Sequence, residues 1–224
     1  MRNRRWLWVT AVVITLASAV YQRMSGPTYP VRGSVTLGGE DVRLRLTRTH
    51  PGAGDQPVAG KLEYQVRLHR GDDVAVFPER PAITRFRNDV PAAVLIPHVL
   101  AMFLAMLFST AAGLSAIGRW PQARREAGIC IVLLLLGGFA LGPLMQWYGF
   151  GAWWTGVPFG WDLTDNKTLV AAVAWLWAAF QMRGGRPART AIILAALTTL
   201  VVFLIPHSVW GSEFKWDSVP AGSR

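Results

Sequence analysis

Cysteine is nearly absent. Cys130 is the one cysteine in 224 residues, so the chain forms no internal disulfide and no Cys-x-x-Cys redox pair. It also has no Cys-x-x-Cys-His run for covalent haem attachment. Charge is scarce as well: Asp, Glu, Lys and Arg make up 16% of the chain, and the acids are the scarcer sign, 13 against 23 basic residues for a net charge of +10. No glycine-rich phosphate loop, no zincin helix motif and no nucleophile-triad spacing occurs. Apolar residues are plentiful instead, 52% of the chain with a mean hydropathy of +0.29. That excludes an ordinary soluble domain and indicates an integral membrane protein. The arginines sit at the ends of apolar runs, as the positive-inside rule expects, so the basic balance does not indicate a nucleic-acid partner.

The order of the runs predicts the architecture. Arg2, Arg4 and Arg5 precede an uncharged run from Trp6 to Tyr21, which reads as a membrane anchor over residues 1–22 with Trp6 and Trp8 at the interface. Ala17-Ser18-Ala19 also resembles a signal-peptidase site, and a cleaved signal is the other reading. Residues 23–91 are charged and rich in Gly and Pro, with strand signals at Val31–Leu37, Val42–Thr47, Lys61–Leu68 and Val74–Phe77. Alternation is clearest in Val42-Arg43-Leu44-Arg45-Leu46, and turn residues bound each segment. A small antiparallel β domain of four or five strands is expected here, with His50 and His69 as solvated strand or loop residues. Four further spans are expected over 92–207, at Ala92–Ile117, Ala127–Trp147, Thr168–Met182 and Thr190–Ile205.

The fold class is therefore mainly α, an integral membrane bundle of about five transmembrane helices with the β domain inserted between helices 1 and 2. The short basic loops, Arg119, Arg124 and Arg125 in one and Arg183, Arg186 and Arg189 in the other, share a side with the arginine-rich N-terminus. That side is expected to be the cytoplasm of a bacterial inner membrane. The β domain, the loop 147–168 and the tail 208–224 then face outward.

The loop concentrates Trp147, Trp153, Trp154 and Trp161 with Asp162, Asp165 and Lys167 between two apolar runs. His98 in Leu95-Ile96-Pro97-His98 and His207 in Leu204-Ile205-Pro206-His207 stand at the expected outer ends of two spans. Polar groups retained there are site candidates. Histidine near an interface also serves simply to bond a carbonyl freed by proline. The tryptophans fit an interfacial belt equally well, and Asp162-Leu163-Thr164-Asp165 fits a helix cap. Two imidazoles beside an aromatic shelf suit haem iron. A quinone would use one histidine and a carboxylate, and zinc or copper would recruit Asp162, Asp165 or Glu213.

Phe159-Gly160-Trp161-Asp162-Leu163-Thr164-Asp165, preceded by Trp154 and Gly156 and followed by Trp175 and Trp177, resembles the tryptophan-rich WWD signature of haem-handling membrane proteins in cytochrome c biogenesis. Trp161-Asp162 matches its Trp-Asp core, and Phe159 stands where it has a tryptophan. The resemblance implies haem presented on an external shelf of Trp153, Trp154, Phe159 and Trp161. Asp162 would fix the loop, Asp165 stands where those proteins often carry a glutamate, His98 and His207 would be axial ligands, and an apocytochrome or other membrane subunit would be the partner beside the surrounding lipid. An accessory subunit whose aromatic loop binds quinone, lipid or a neighbouring protein is the alternative.

Overall fold

The computed structural model describes residues 4–26, 29–47, 49–51 and 60–206. Helix α1 (Arg4–Ser25) leads into strands β1 (Val31–Leu37), β2 (Glu40–Leu46), β3 (Thr49–Pro51), β4 (Gly60–Arg70) and β5 (Asp73–Arg87). The helices α2 (Ala92–Ile117), α3 (Ala123–Leu134), a π-helical segment (Leu135–Leu141), α4 (Gly142–Phe150), α5 (Leu163–Gln181) and α6 (Arg189–Leu204) follow.

Among the described residues, three helical stretches are long and apolar enough to cross a membrane: Arg4–Ser25, Ala92–Ile117, and the continuous rod Ala123–Phe150 made of α3, the π segment and α4. Three of the five expected spans meet that measure of length and apolarity. Helix α6 is apolar but shorter, and α5 opens on Asp165, Asn166 and Lys167. Both pack into the same bundle.

Small side chains let these helices approach closely. Ala105, Ala112 and Ala116 of α2 share a buried cluster with Ala127 and Cys130 of α3, Ala171 and Trp175 of α5, and Ile192 and Ala195 of α6. With no water to drive apolar association inside a bilayer, close packing of small residues holds helices together. A Cβ at Gly113 would lie 2.8 Å from that of Ala196, so glycine sets the α2–α6 spacing. The indole of Trp175, fully buried, donates to Thr199 Oγ1 at 2.8 Å, and that hydroxyl donates to Ala195 O at 2.8 Å. A buried indole N–H is thereby satisfied. Helix α1 joins through Leu7, Ala11 and Ala111, with Trp8 edge-on to Phe108 at 5.6 Å.

The basic segments do gather at one end of the bundle. Arg4 of α1 pairs with buried Glu126 of α3 at 3.2 Å, and Arg124 donates to Met182 O beyond α5 at 2.9 Å. The aromatic loop between α4 and α5 lies at the opposite end.

The β region departs from the expected all-antiparallel sheet. β1 and β2 form an antiparallel hairpin from Val31↔Leu46 to Leu37↔Glu40, while the second sheet has the order β3-β5-β4. In it β5 is antiparallel to β4 but parallel to β3. Strand β5 also outruns its expected end at Phe77, crossing Pro78 and Pro81 to reach Arg87. Prolines cannot donate to a ladder, and the register shifts between Tyr64 and Val66. There Gln65 Nε2 donates to Pro78 O at 2.9 Å and Glu79 O at 3.1 Å. The ring of Phe77 covers Gly33, which joins the hairpin to the larger sheet. From β5 the chain reaches the bundle beside α4, where Asn88 N donates to Gly149 O at 3.1 Å.

Candidate functional site

Trp147 to Phe150 are helical, so the loop proper starts at Gly151, whose φ of 75° closes α4. Its end also comes early, because α5 begins at Leu163 rather than near Thr168. Asp162 is the reason: its Oδ1 accepts from Thr164 N at 2.7 Å and Asp165 N at 3.1 Å, capping the helix. Burial pushes the Asp162 carboxyl above the usual carboxylate range, despite the amides it accepts from.

Asp165, in the first turn of α5, is buried and latches the loop. Its Oδ2 accepts from Thr155 N at 2.7 Å, Gly156 N at 3.1 Å, Thr155 Oγ1 at 3.1 Å and Gln146 Nε2 at 3.0 Å. Asn166 Oδ1 adds a bond from Val157 N at 2.8 Å. Two glycines make the close approach possible. A Cβ at Gly156 would sit 2.7 Å from that of Asp165, and one at Gly160 would run into the Thr155 carbonyl. Both carboxylates expected at the site therefore turn oxygens onto backbone amides. Among the described residues, no three His, Cys, Asp or Glu side chains gather in a metal-binding group.

The four expected shelf aromatics divide. Trp153 stacks on Trp147 with centroids 5.0 Å apart. Trp154 stacks on Phe139 at 5.4 Å and donates Nε1–H to Val157 O at 3.1 Å. Phe159 and Trp161 project from the turn, 82% and 87% exposed.

His98, half-buried on α2, has its Nδ1 2.9 Å from Gly137 O in the π segment. A carbonyl only accepts, so Nδ1 carries the proton and the lone pair of Nε2 is left for another partner. The same carbonyl receives Gly142 N–H through the wider π turn. Gly137 lets α2 come close and Gly138 lets α5 do so: their Cβ atoms would stand 2.9 Å from Met102 Sδ and 2.5 Å from Thr168 Cγ2. The π segment is thus touched by His98 through Gly137 and by the loop through Phe139 and Trp154.

His207 lies outside the described residues, as do Glu213 and the tail 208–224. The chain just before it is held: Lys167 Nζ, on the first turns of α5, donates to Ile205 O at 2.6 Å. The end of α6 therefore sits beside the start of α5. His69 is exposed on β4, and His50 lies on β3.

Sequence reasoning missed Gln146, Thr155, the π segment and the role of Lys167. Gly137-Gly138 and Gly142-Pro143 inside an apolar run were the available signal for the π segment, since glycine pairs accompany irregular helix. No protein-family model, curated protein or solved structure matches this chain.

Proposed function

We propose that this chain is a membrane protein that binds or presents haem at the bundle end carrying the Trp-Asp loop, in the assembly of cytochromes. The observation that supports this most is the His98–Gly137 hydrogen bond of 2.9 Å. Histidines that ligate metals characteristically donate their other ring N–H to a carbonyl, which fixes the tautomer and aims the remaining nitrogen. The donor chemistry suits the group: Nε2 of His98 would hold the iron, with His207 as the second imidazole, and Trp153, Trp154, Phe159 and Trp161 would offer apolar surface. Asp162 and Asp165 hold that surface rigid. Haem in such a place supplies a one-electron centre or a prosthetic group for transfer to an apocytochrome. On this reading all five helices cross the bacterial cytoplasmic membrane, the basic end is cytoplasmic, and the β domain faces outward to meet a partner.

The test is the absorption spectrum of protein purified from haem-replete cells. A Soret band is expected, weakened in His98→Ala and in His207→Ala. His98→Asn keeps a donor near Gly137 but loses the ligand, so it separates ligation from packing. A colourless wild type overturns the proposal.

The exposure of Phe159 and Trp161, 82% and 87%, favours a second reading: an accessory subunit of a respiratory or assembly complex whose loop inserts into lipid, binds quinone or meets a neighbouring subunit. A colourless protein that co-purifies with other subunits, and loses them on Trp161→Ala, is its signature.

A further inference from the structure

The β1–β2 hairpin presents an arginine strip. Alternation turns Arg32, Ser34 and Thr36 of β1 to the exposed side, and Arg43 and Arg45 of β2 are exposed on the same face. Arg32 stands directly opposite Arg45, and Ser34 opposite Arg43. Like charges facing each other across a ladder disfavour the hairpin, so this arrangement calls for an external anion. The acids of the hairpin are at its far end and engaged there, Asp41 accepting from Thr36 Oγ1 at 2.8 Å and Glu40 pairing with Arg70 at 2.9 Å.

The near end is tied to α1. The guanidiniums of Arg23, in the last turn of α1, and of Arg32 each lie 5.8 Å from the Tyr29 ring centroid. Helix α1 is long and apolar enough to cross a membrane. At 1.5 Å per residue Arg4 and Arg23 are about 28 Å apart along its axis, close to the ~30 Å of a hydrocarbon core. Arg23 then stands at headgroup level, and Tyr29 fixes Arg32 beside it. Arg45 is paired to Arg32, and Arg43 is the next residue along that face.

We infer that Arg23, Arg32, Arg43 and Arg45 form a binding strip for the phosphates of anionic phospholipids, docking the hairpin onto the membrane surface. Guanidinium groups match phosphate oxygens bidentately, and an anionic surface attracts juxtamembrane arginines within a Debye length. A lipid is favoured over a soluble acidic protein because the strip starts at the membrane boundary itself. The inference rests on α1 as a span and is independent of haem.

The test uses the full chain in nanodiscs of phosphatidylcholine alone or mixed with phosphatidylglycerol, reading amide hydrogen exchange over residues 31–46. Exchange is expected to slow several-fold in the anionic discs, to regain its faster rate in high salt, and to be insensitive to disc charge in the combined variant R32Q/R43Q/R45Q. The variant's exchange in phosphatidylcholine discs reports whether its hairpin still folds. If it does not, the wild-type comparison between discs decides alone. Equal wild-type exchange in both discs overturns the inference, as does protection by soluble polyglutamate but not by phosphatidylglycerol.

Discussion

Asp162 and Asp165 stand one helical turn apart and do different work. Asp162 uses one oxygen as an N-cap, a role that the amide oxygen of asparagine also fills. Asp162→Asn is therefore expected to change stability by only a few tenths of a kcal/mol. Asp165 collects donors from Thr155, Gly156 and Gln146 on one oxygen, and in Asp165→Asn no carboxylate charge remains to hold them. That change should cost on the order of 2–3 kcal/mol, read as a lowered thermal midpoint in detergent and a red shift of tryptophan emission. Equal midpoints for the two variants would refute the latch. Gly160→Ala should act like Asp165→Asn, since its new methyl meets the Thr155 carbonyl. Lys167→Met should leave the loop in place but speed hydrogen exchange over residues 200–206, because Ile205 O loses the ammonium donor seen at 2.6 Å.

Among the elements, the π segment is the one that sequence periodicity does not reveal. A π turn is one residue wider than an α turn, and such bulges gather at functional sites. Here it offers Gly137 O to His98 and Phe139 to Trp154. Deleting Ala140 should restore α geometry through Leu135–Leu141 and rotate one of those partners away. If the haem proposal holds, the deletion lowers the Soret absorbance while the protein still elutes as a folded species. Unchanged absorbance would show that the π turn only relieves packing between Gly138 and Thr168. The strands teach a related lesson. Pro78 and Pro81 read as stops in a linear scan, yet β5 passes through them because Gln65 bonds the carbonyls where the register slips.

For the whole molecule, the testable quantity is which end faces which compartment. The ion pair Arg4–Glu126 and the bond from Arg124 to Met182 O put the basic segments at one end. On the proposed topology, which follows the positive-inside rule, that end is cytoplasmic. Cys130 is buried, which gives a low background for thiol labelling. A membrane-impermeant maleimide is expected to label Asp72→Cys, exposed in the β4–β5 turn, in intact cells. It should label Arg186→Cys, exposed in the α5–α6 connection, only after permeabilisation. The reverse pattern would invert the topology and remove the argument for an external loop.

The sequence by itself determined what depends on local pattern: the apolar runs of the bundle, the β1–β2 alternation, the glycine-permitted turn and the acidic cap at Asp162. Each follows from hydrophobic periodicity or from hydrogen bonding within a few residues. Only the tertiary structure decided that β3 runs parallel to β5 and that Gly137 faces His98. It alone showed Asp165 gathering donors from α4 and the loop, and Lys167 holding the end of α6. Those are contacts between segments far apart along the chain. Their partners are chosen by how the helices and strands pack, which no local periodicity records.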